Sequence, residues 1–205
     1  MYQPKKYLKK DKEHIFRFIA EHPFATMVLK GENLLATHIP VLTEGRSEDF
    51  RLFAHIANHN EQFQYLKNDP EILLIFQGPH AYISSSWYRE KDISTWDYSA
   101  VHVNARLKVQ TGDELKNCLD RLVQRFEKSQ ENPLYFRDLP QKMVEEHLEQ
   151  ITGFWCEPFR IQAISKLHQK SEEENLQRIT KRLDRMKTCS AAALSDAIRK
   201  ENGMK

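Results

Sequence analysis

EILLIFQGPHAYISSSWYREKDISTWDYSAVHVNARLKV, residues 71–109, is the stretch whose reading decides the fold. EILLIFQ is almost wholly apolar, as in a strand covered on both faces, and Gly78-Pro79 punctuates it. HAYISSSW then alternates, placing Ala81, Ile83 and Ser85 on one side and His80, Tyr82, Ser84 and Ser86 on the other. SAVHVNARLKV alternates again through Val101, Val103, Ala105, Leu107 and Val109. Two long neighbouring strands are expected here. Between Gln77 and Val103, however, stand two Trp, three Tyr, two His and five Ser, where a buried strand pair would carry mostly Val, Ile and Leu. A buried phenol, imidazole or indole N–H needs a hydrogen-bond partner, so such a lining points to a surface or cleft that meets a flat polar ligand.

Upstream, Ile15, Phe18, Ile19 and His22 share one helical face, Asp11 is a candidate N-cap and Pro23 a stop. FATMVLK and NLLATHIPVL read as strands joined by Gly31-Glu32-Asn33, a turn is expected at Thr43-Glu44-Gly45, and FRLFAHI follows as a strand. Asn58-His59-Asn60-Glu61 opens a short helix with Phe63, Leu66 and Gln62 inward, ended by Asp69-Pro70. Downstream, a helix begins at Thr111-Gly112-Asp113 with Leu115, Leu119, Leu122, Val123 and Phe126 in a stripe. A second starts near Pro140 and packs through Met143, Val144, His147, Leu148 and Ile151, and ITGFWCEPFRIQAI adds a late strand. Ser171 and Glu174 form a capping-box signature for a helix carrying Leu176, Ile179, Leu183 and Met186, and Ser190 is a candidate cap for one more. Six or seven closely connected antiparallel strands favour a compact α+β barrel with flanking helices over a doubly wound sheet.

The 205 residues, 40% hydrophobic, suffice for one core and a small appended helical piece; the expected division is 1–170 and a helical tail, 171–205. No apolar run approaches a membrane span and the N-terminus lacks a signal-peptide core, which predicts a cytoplasmic protein. Cys118, Cys156 and Cys189 are widely spaced, which argues against a disulfide scaffold and a zinc ribbon. Net charge is only +2. From Lys166 to Lys187 basic and acidic residues interleave, a pattern that usually marks a solvated helix face and dilutes any attraction to phosphates.

Motifs of hydrolases, zinc proteases, P-loop NTPases and Rossmann dehydrogenases are absent from the sequence. His55 and His59 have metal-ligand spacing, but the expected strand-to-helix boundary falls between them and no third ligand is near. No metal site is expected. AHIANHNEQ is better suited to an anion, because a strand end turning into a helix start exposes free N–H groups; capping by Asn58 or Asn60 with solvated histidines explains it equally. His38, in ATHIPVL, is more ordinary as a core or rim histidine than as a ligand contact, and Tyr82, Trp87, Tyr88, Trp96 and Tyr98 are compatible with plain packing or a dimer interface. The hydroxyls of Ser84, Ser85 and Ser86 tilt that balance toward a ring such as isoalloxazine, which has one apolar and one hydrogen-bonding edge.

FATMV, LLATHIPVL, AHIANHNEQ, FQGPHAYISSSWY, TWDYSAVHV and ITGFWCEPFRIQAISKLHQ together resemble the PaiB-type FMN-binding negative transcriptional regulators of bacteria. The resemblance spans nearly the whole chain. It implies an FMN-binding split barrel related to pyridoxamine-phosphate-oxidase-like flavoproteins, usually a homodimer, with DNA as a partner by family label. It further implies Thr37, His38, His55, Asn58, Asn60 and Gln62 near the phosphate, and His80, Tyr82, Ser84, Ser86 and Trp87 near the ring. A flavin-dependent oxidoreductase, with His38, His80 or His102 as candidate acid or base, and a binder of another planar ligand such as haem are the alternative functions. Against the family pattern, Asn58 stands for an arginine, Glu61, Ser85 and Ser94 for prolines, and KLHQKS with His168, Lys170 and Ser171 for KLSQNR.

Overall fold

The computed structural model describes residues 1–204. An eight-stranded antiparallel sheet and five α-helices are arranged along the chain as β1 (Leu8–Lys9), α1 (Lys12–Glu21), β2 (Phe24–Lys30), β3 (Leu34–Pro40), β4 (Leu42–Arg46), β5 (Asp49–Ala57), β6 (Glu71–Ile83), β7 (Thr95–Val109), α2 (Gly112–Glu127), α3 (Gln141–Leu148), β8 (Ile151–Lys166), α4 (Glu173–Arg185) and α5 (Cys189–Glu201). The order is β3-β2-β6-β7-β8-β5-β4, with β1 paired to β8 and the sheet left open at β3 and β4. The α+β antiparallel split-barrel class expected from the sequence is therefore the one observed.

Two compact units divide the chain, and the long strands β6, β7 and β8 each contribute to both. One unit comprises Ile19–Phe76 and His102–Ile161. Its inner core follows from period-two alternation: Ala25, Met27 and Leu29 of β2, Leu52, Ala54 and Ile56 of β5, Ile72, Leu74 and Phe76 of β6, and Phe154 and Cys156 of β8 are all buried. Each large side chain removed from water there contributes about 1.5–3 kcal/mol. On the other face of β5 and β8, Phe53 and Trp155 pack with Leu42 against Cys118 and Leu122 of α2. That helix begins in a complete capping box: Thr111 Oγ1 accepts from the Glu114 N–H, the Glu114 carboxylate accepts from the Thr111 N–H, and its other oxygen takes the Trp155 indole N–H at 2.9 Å.

The other unit comprises Met1–Phe18, Gln77–Val101 and the chain from Gln162 onward. α4 and α5 share a core with Ala81, Ile83, Tyr88 and Leu167, so the segment after residue 170 is packed into the same unit as the C-terminal part of β6. Asp11 caps α1 as expected, accepting from the His14 N–H at 2.6 Å.

Several local expectations are corrected. Thr43-Glu44-Gly45 lies inside β4, not in a turn; Gly45 takes a φ of 104° and pairs with Phe50, so its glycine marks a left-handed strand position just before the reversal. HAYISSSW stops being a strand at Ile83, because Ser84 accepts from the Ser86 N–H and starts a 3-10 turn over Ser85–Trp87. Ser171 forms no capping box; the N-cap of α4 is Glu172. Thr188, not Ser190, caps α5, and Ser190 instead donates to the His80 carbonyl oxygen at 2.9 Å. Phe126 and Met143 remain exposed at the ends of their expected stripes.

Candidate functional site

The residues expected near a phosphate all lie in the unit of Ile19–Phe76 and His102–Ile161. Register places Thr37 opposite Met27 and His38 opposite Thr26 in the β2–β3 hairpin. His38 is exposed, its Nδ1 lies 2.9 Å from Thr26 Oγ1, and its ring stacks on Phe24 with centroids 6.1 Å apart. His55, opposite Gly153 in β5, has its pKa pushed down by burial, so at neutral pH it offers a neutral imidazole rather than a cation.

Asn58, Asn60 and Gln62 are engaged by the fold itself. Asn58 donates from Nδ2 to the Glu149 carbonyl at 2.8 Å and accepts from the Thr152 hydroxyl at 2.7 Å. Asn60 caps the 3-10 helix Glu61–Asn68 by accepting from the Gln62 N–H, and its amide donates to Thr37 Oγ1 at 3.1 Å. Gln62 is 1% exposed and donates to the Leu35 carbonyl at 3.0 Å and, more weakly, to that of Met27 at 3.4 Å. Its Oε1 is buried with no partner. Of the six, His38 and His55 keep ring nitrogens and Thr37 its hydroxyl proton for a ligand, and Gln62 Oε1 is a buried acceptor without a partner.

The residues expected near a ring lie in the other unit. Here the structure assembles an aromatic wall. Trp96 donates its indole N–H to His80 Nδ1 at 3.1 Å; the two rings are 5.8 Å apart, and Tyr82 packs on the same indole at 6.3 Å. Tyr82 and Trp96 are 48% and 51% exposed, which leaves their faces open to a planar partner. Ser190 fixes the His80 backbone by accepting from its N–H and donating to its carbonyl. Ser84 and Ser86 hydroxyls sit 2.9 Å apart, and Ser94 accepts from the Ser85 N–H. Trp87 turns away to pack on the α4–α5 core, and its carbonyl accepts from Arg178 Nε at 2.8 Å.

Trp96 belonged to the aromatic set read from the sequence but not to the residues singled out for the ring. Its signal lay in that aromatic set and in the TWDYSAVHV motif. Behind it lies a polar group that no local pattern announced. Asp97 is fully buried; its Oδ2 contacts His168 Nδ1, and Lys166 Nζ lies 4.0 Å from Oδ1 while donating to the Trp96 carbonyl at 2.9 Å. His168 Nε2 meets the Tyr88 hydroxyl at 2.9 Å. Burial, with the Asp97 charge adding, pushes the Tyr88 pKa up to about 12.

The ring-side residues fit a flavin: exposed aromatic faces sit beside an imidazole, and the paired serine hydroxyls follow at the end of the strand that carries His80 and Tyr82. The phosphate-side residues that remain free supply one hydroxyl and two imidazoles. Among the described residues no group of three or more His, Cys, Asp or Glu is placed to hold a metal, and no helix of theirs is long and apolar enough to cross a membrane.

A family model described as "Putative FMN-binding domain" matches residues 1–158. A Bacillus subtilis protein named protease synthase and sporulation protein PAI 2 is 32% identical over 199 residues, covering 97% of this chain and 96% of its own length. Among solved structures, the FAD and heme binding protein from Mycobacterium smegmatis aligns with a TM-score of 0.58 at 16% identity, over 83% of this chain and 78% of that one. The flavocytochrome Anf3 from Azotobacter vinelandii gives 0.54 at 15% identity, over 83% and 74%. At those identities the two structures show a shared fold.

Proposed function

The chain belongs to this FMN-binding-domain family, and on that premise we propose that it binds flavin mononucleotide. The single observation that carries the reading is the Trp96–His80–Tyr82 wall, where open aromatic faces adjoin hydrogen-bonding groups. Trp96 and Tyr82 would flank the ring, with Ser84, Ser86 and His80 at its polar edge. Thr37, His38 and His55 would serve the phosphate, and Asn58, Asn60 and Gln62 would shape the turn from behind. The bound flavin would supply one- and two-electron chemistry.

A homodimer in the cytoplasm completes the proposal. Its support is the face of the β2–β3 hairpin that α2 leaves bare: Phe24 is 67% and Leu34 76% exposed, and Ala36 and His38 are exposed between them. An exposed apolar strip on two paired strands is the kind of surface that a second copy covers. A role in transcriptional regulation, implied by the resemblance, belongs to the same reading.

The test is flavin content and binding. Purified protein should be yellow or should quench added FMN fluorescence at micromolar concentrations. Trp96→Ala should weaken FMN and riboflavin by the same factor, whereas His38→Ala should weaken FMN more. A colourless chain that binds neither flavin would sink the proposal.

A further inference from the structure

The interleaved charges of the tail, ambiguous along the sequence, are sorted by the α-helix. In α4, Arg178, Lys181, Arg182 and Arg185 recur at i, i+3, i+4 and i+7, and so line one face. The opposite face, Leu176, Ile179, Thr180 and Leu183, is buried in the core shared with α5. Of the acidic residues only Glu174 shares this face, one turn before Arg178, and it is neutralised there. Glu173 lies in the first turn, Glu174 is engaged by Arg89 at 3.3 Å and Arg178 at 3.7 Å, and Asp184 turns to Arg199 at 2.6 Å. No carboxylate among the described residues pairs with Lys181, Arg182 or Arg185. These cations and Arg178 line, with Trp87, a shallow cavity of about 190 Å³.

We propose that this stripe is a contact surface for the phosphate backbone of a nucleic acid. The eight residues of helix from Arg178 to Arg185 extend ~10 Å, long enough for Lys181, Arg182 and Arg185, with Arg178 beside them, to meet successive phosphates of a strand. The cavity is smaller than the roughly 300 Å³ at which pockets for whole organic ligands begin, so it suits a phosphate group whose parent molecule continues outside. A membrane surface fits less well. An interfacial helix inserts its apolar face, and here that face is already committed to the protein core. The stripe does not depend on the flavin reading; it deepens the regulatory one by placing a phosphate contact on α4.

The experiment uses the full chain, titrated with FMN in parallel, and fluorescently labelled duplex and single-stranded oligonucleotides. Affinity should fall about 40-fold between ~50 and ~200 mM salt if three phosphates are neutralised, and about 150-fold if four are. Lys181→Ala/Arg182→Ala/Arg185→Ala should remove most of that salt dependence and weaken binding at least tenfold at low salt. A charge-matched control, Lys5→Ala/Lys30→Ala/Lys67→Ala, should keep both. The assignment is overturned by no oligonucleotide binding at low salt, by equal losses in the two triple variants, or by stripe-dependent binding to phosphatidylserine vesicles without an effect on oligonucleotides. Because the three substituted side chains are exposed, unchanged thermal melting checks that the fold is retained.

Discussion

His168 Nε2 lies 2.9 Å from the Tyr88 hydroxyl, joining segments 80 residues apart in the chain. The other ring nitrogen rests on Asp97, whose carboxylate also faces Lys166. This buried arrangement stands directly behind the Trp96 wall and beside the Ser85–Trp87 turn. Removing one partner of a buried charged pair leaves the other without compensation and typically costs about 3–5 kcal/mol. Asp97→Ala should therefore lower the urea midpoint by an amount equivalent to about 3 kcal/mol, with Asp97→Asn losing less. An unchanged midpoint in Asp97→Ala would show that the carboxylate contributes nothing to the fold.

Tyr88 should ionise late. Its pKa of about 12 in the folded chain lies above the unfolded value near 10, so the folded state holds the proton more tightly. The stabilisation is complete below pH 10 and is lost as pH rises through 12. Ultraviolet titration of the phenolates should show a late component that is missing in Tyr88→Phe. If the two curves superimpose, burial of this hydroxyl has been misjudged.

Acid should destabilise the protein through its half-buried histidines. Burial lowers the pKa of His22 and of His55, so the unfolded chain takes up protons first as pH falls below about 6.5. Stability then declines from neutral pH toward pH 5. His55→Gln should flatten part of this slope in denaturant melts performed across that range. A slope identical to the parent's would remove His55 from the account.

Gly31 should resist substitution for a reason specific to one neighbour. A Cβ at this position would fall 2.5 Å from the Tyr65 ring, whose hydroxyl accepts from the Glu32 N–H at 3.4 Å. Gly31→Ala should destabilise by about 1–3 kcal/mol through overpacking. Combining it with Tyr65→Ala should recover part of the loss, giving a coupling energy of roughly 1 kcal/mol in a double-mutant cycle. Strictly additive effects would point to backbone strain instead of the ring.

Much of the fold was legible because alternation and caps are local. FATMVLK and SAVHVNARLKV declare their strands through period-two alternation and EILLIFQ through a short apolar run, and Asp11 and Thr111 mark helix starts within four residues of the N–H groups that they satisfy. The errors arose where two local motifs competed. Ser171 with Glu174 and Ser190 each offered a cap, but Glu172 and Thr188 took the N-cap positions. The run of Ser84, Ser85 and Ser86 could extend a strand or close a turn, and a side-chain-to-backbone bond favoured the turn.

The sequence by itself determined most of the strands and helices, the α+β class, the family and the aromatic character of the candidate ring wall. These depend on residue type and on spacings of two to four. Only the tertiary structure decided what the polar residues do. Asn58, Asn60 and Gln62 could equally have faced a phosphate; their bonds to Glu149, Thr37 and Leu35 bind them to the fold. Asp97 and His168 are 71 positions apart, and nothing local in TWDY or KLHQ foretells their contact. The charges of α4, mixed in the chain, are sorted only once the helix gathers Arg178, Lys181, Arg182 and Arg185 on one face. A hydrogen bond or ion pair belongs to two groups at once, and chain folding alone brings the second group within reach.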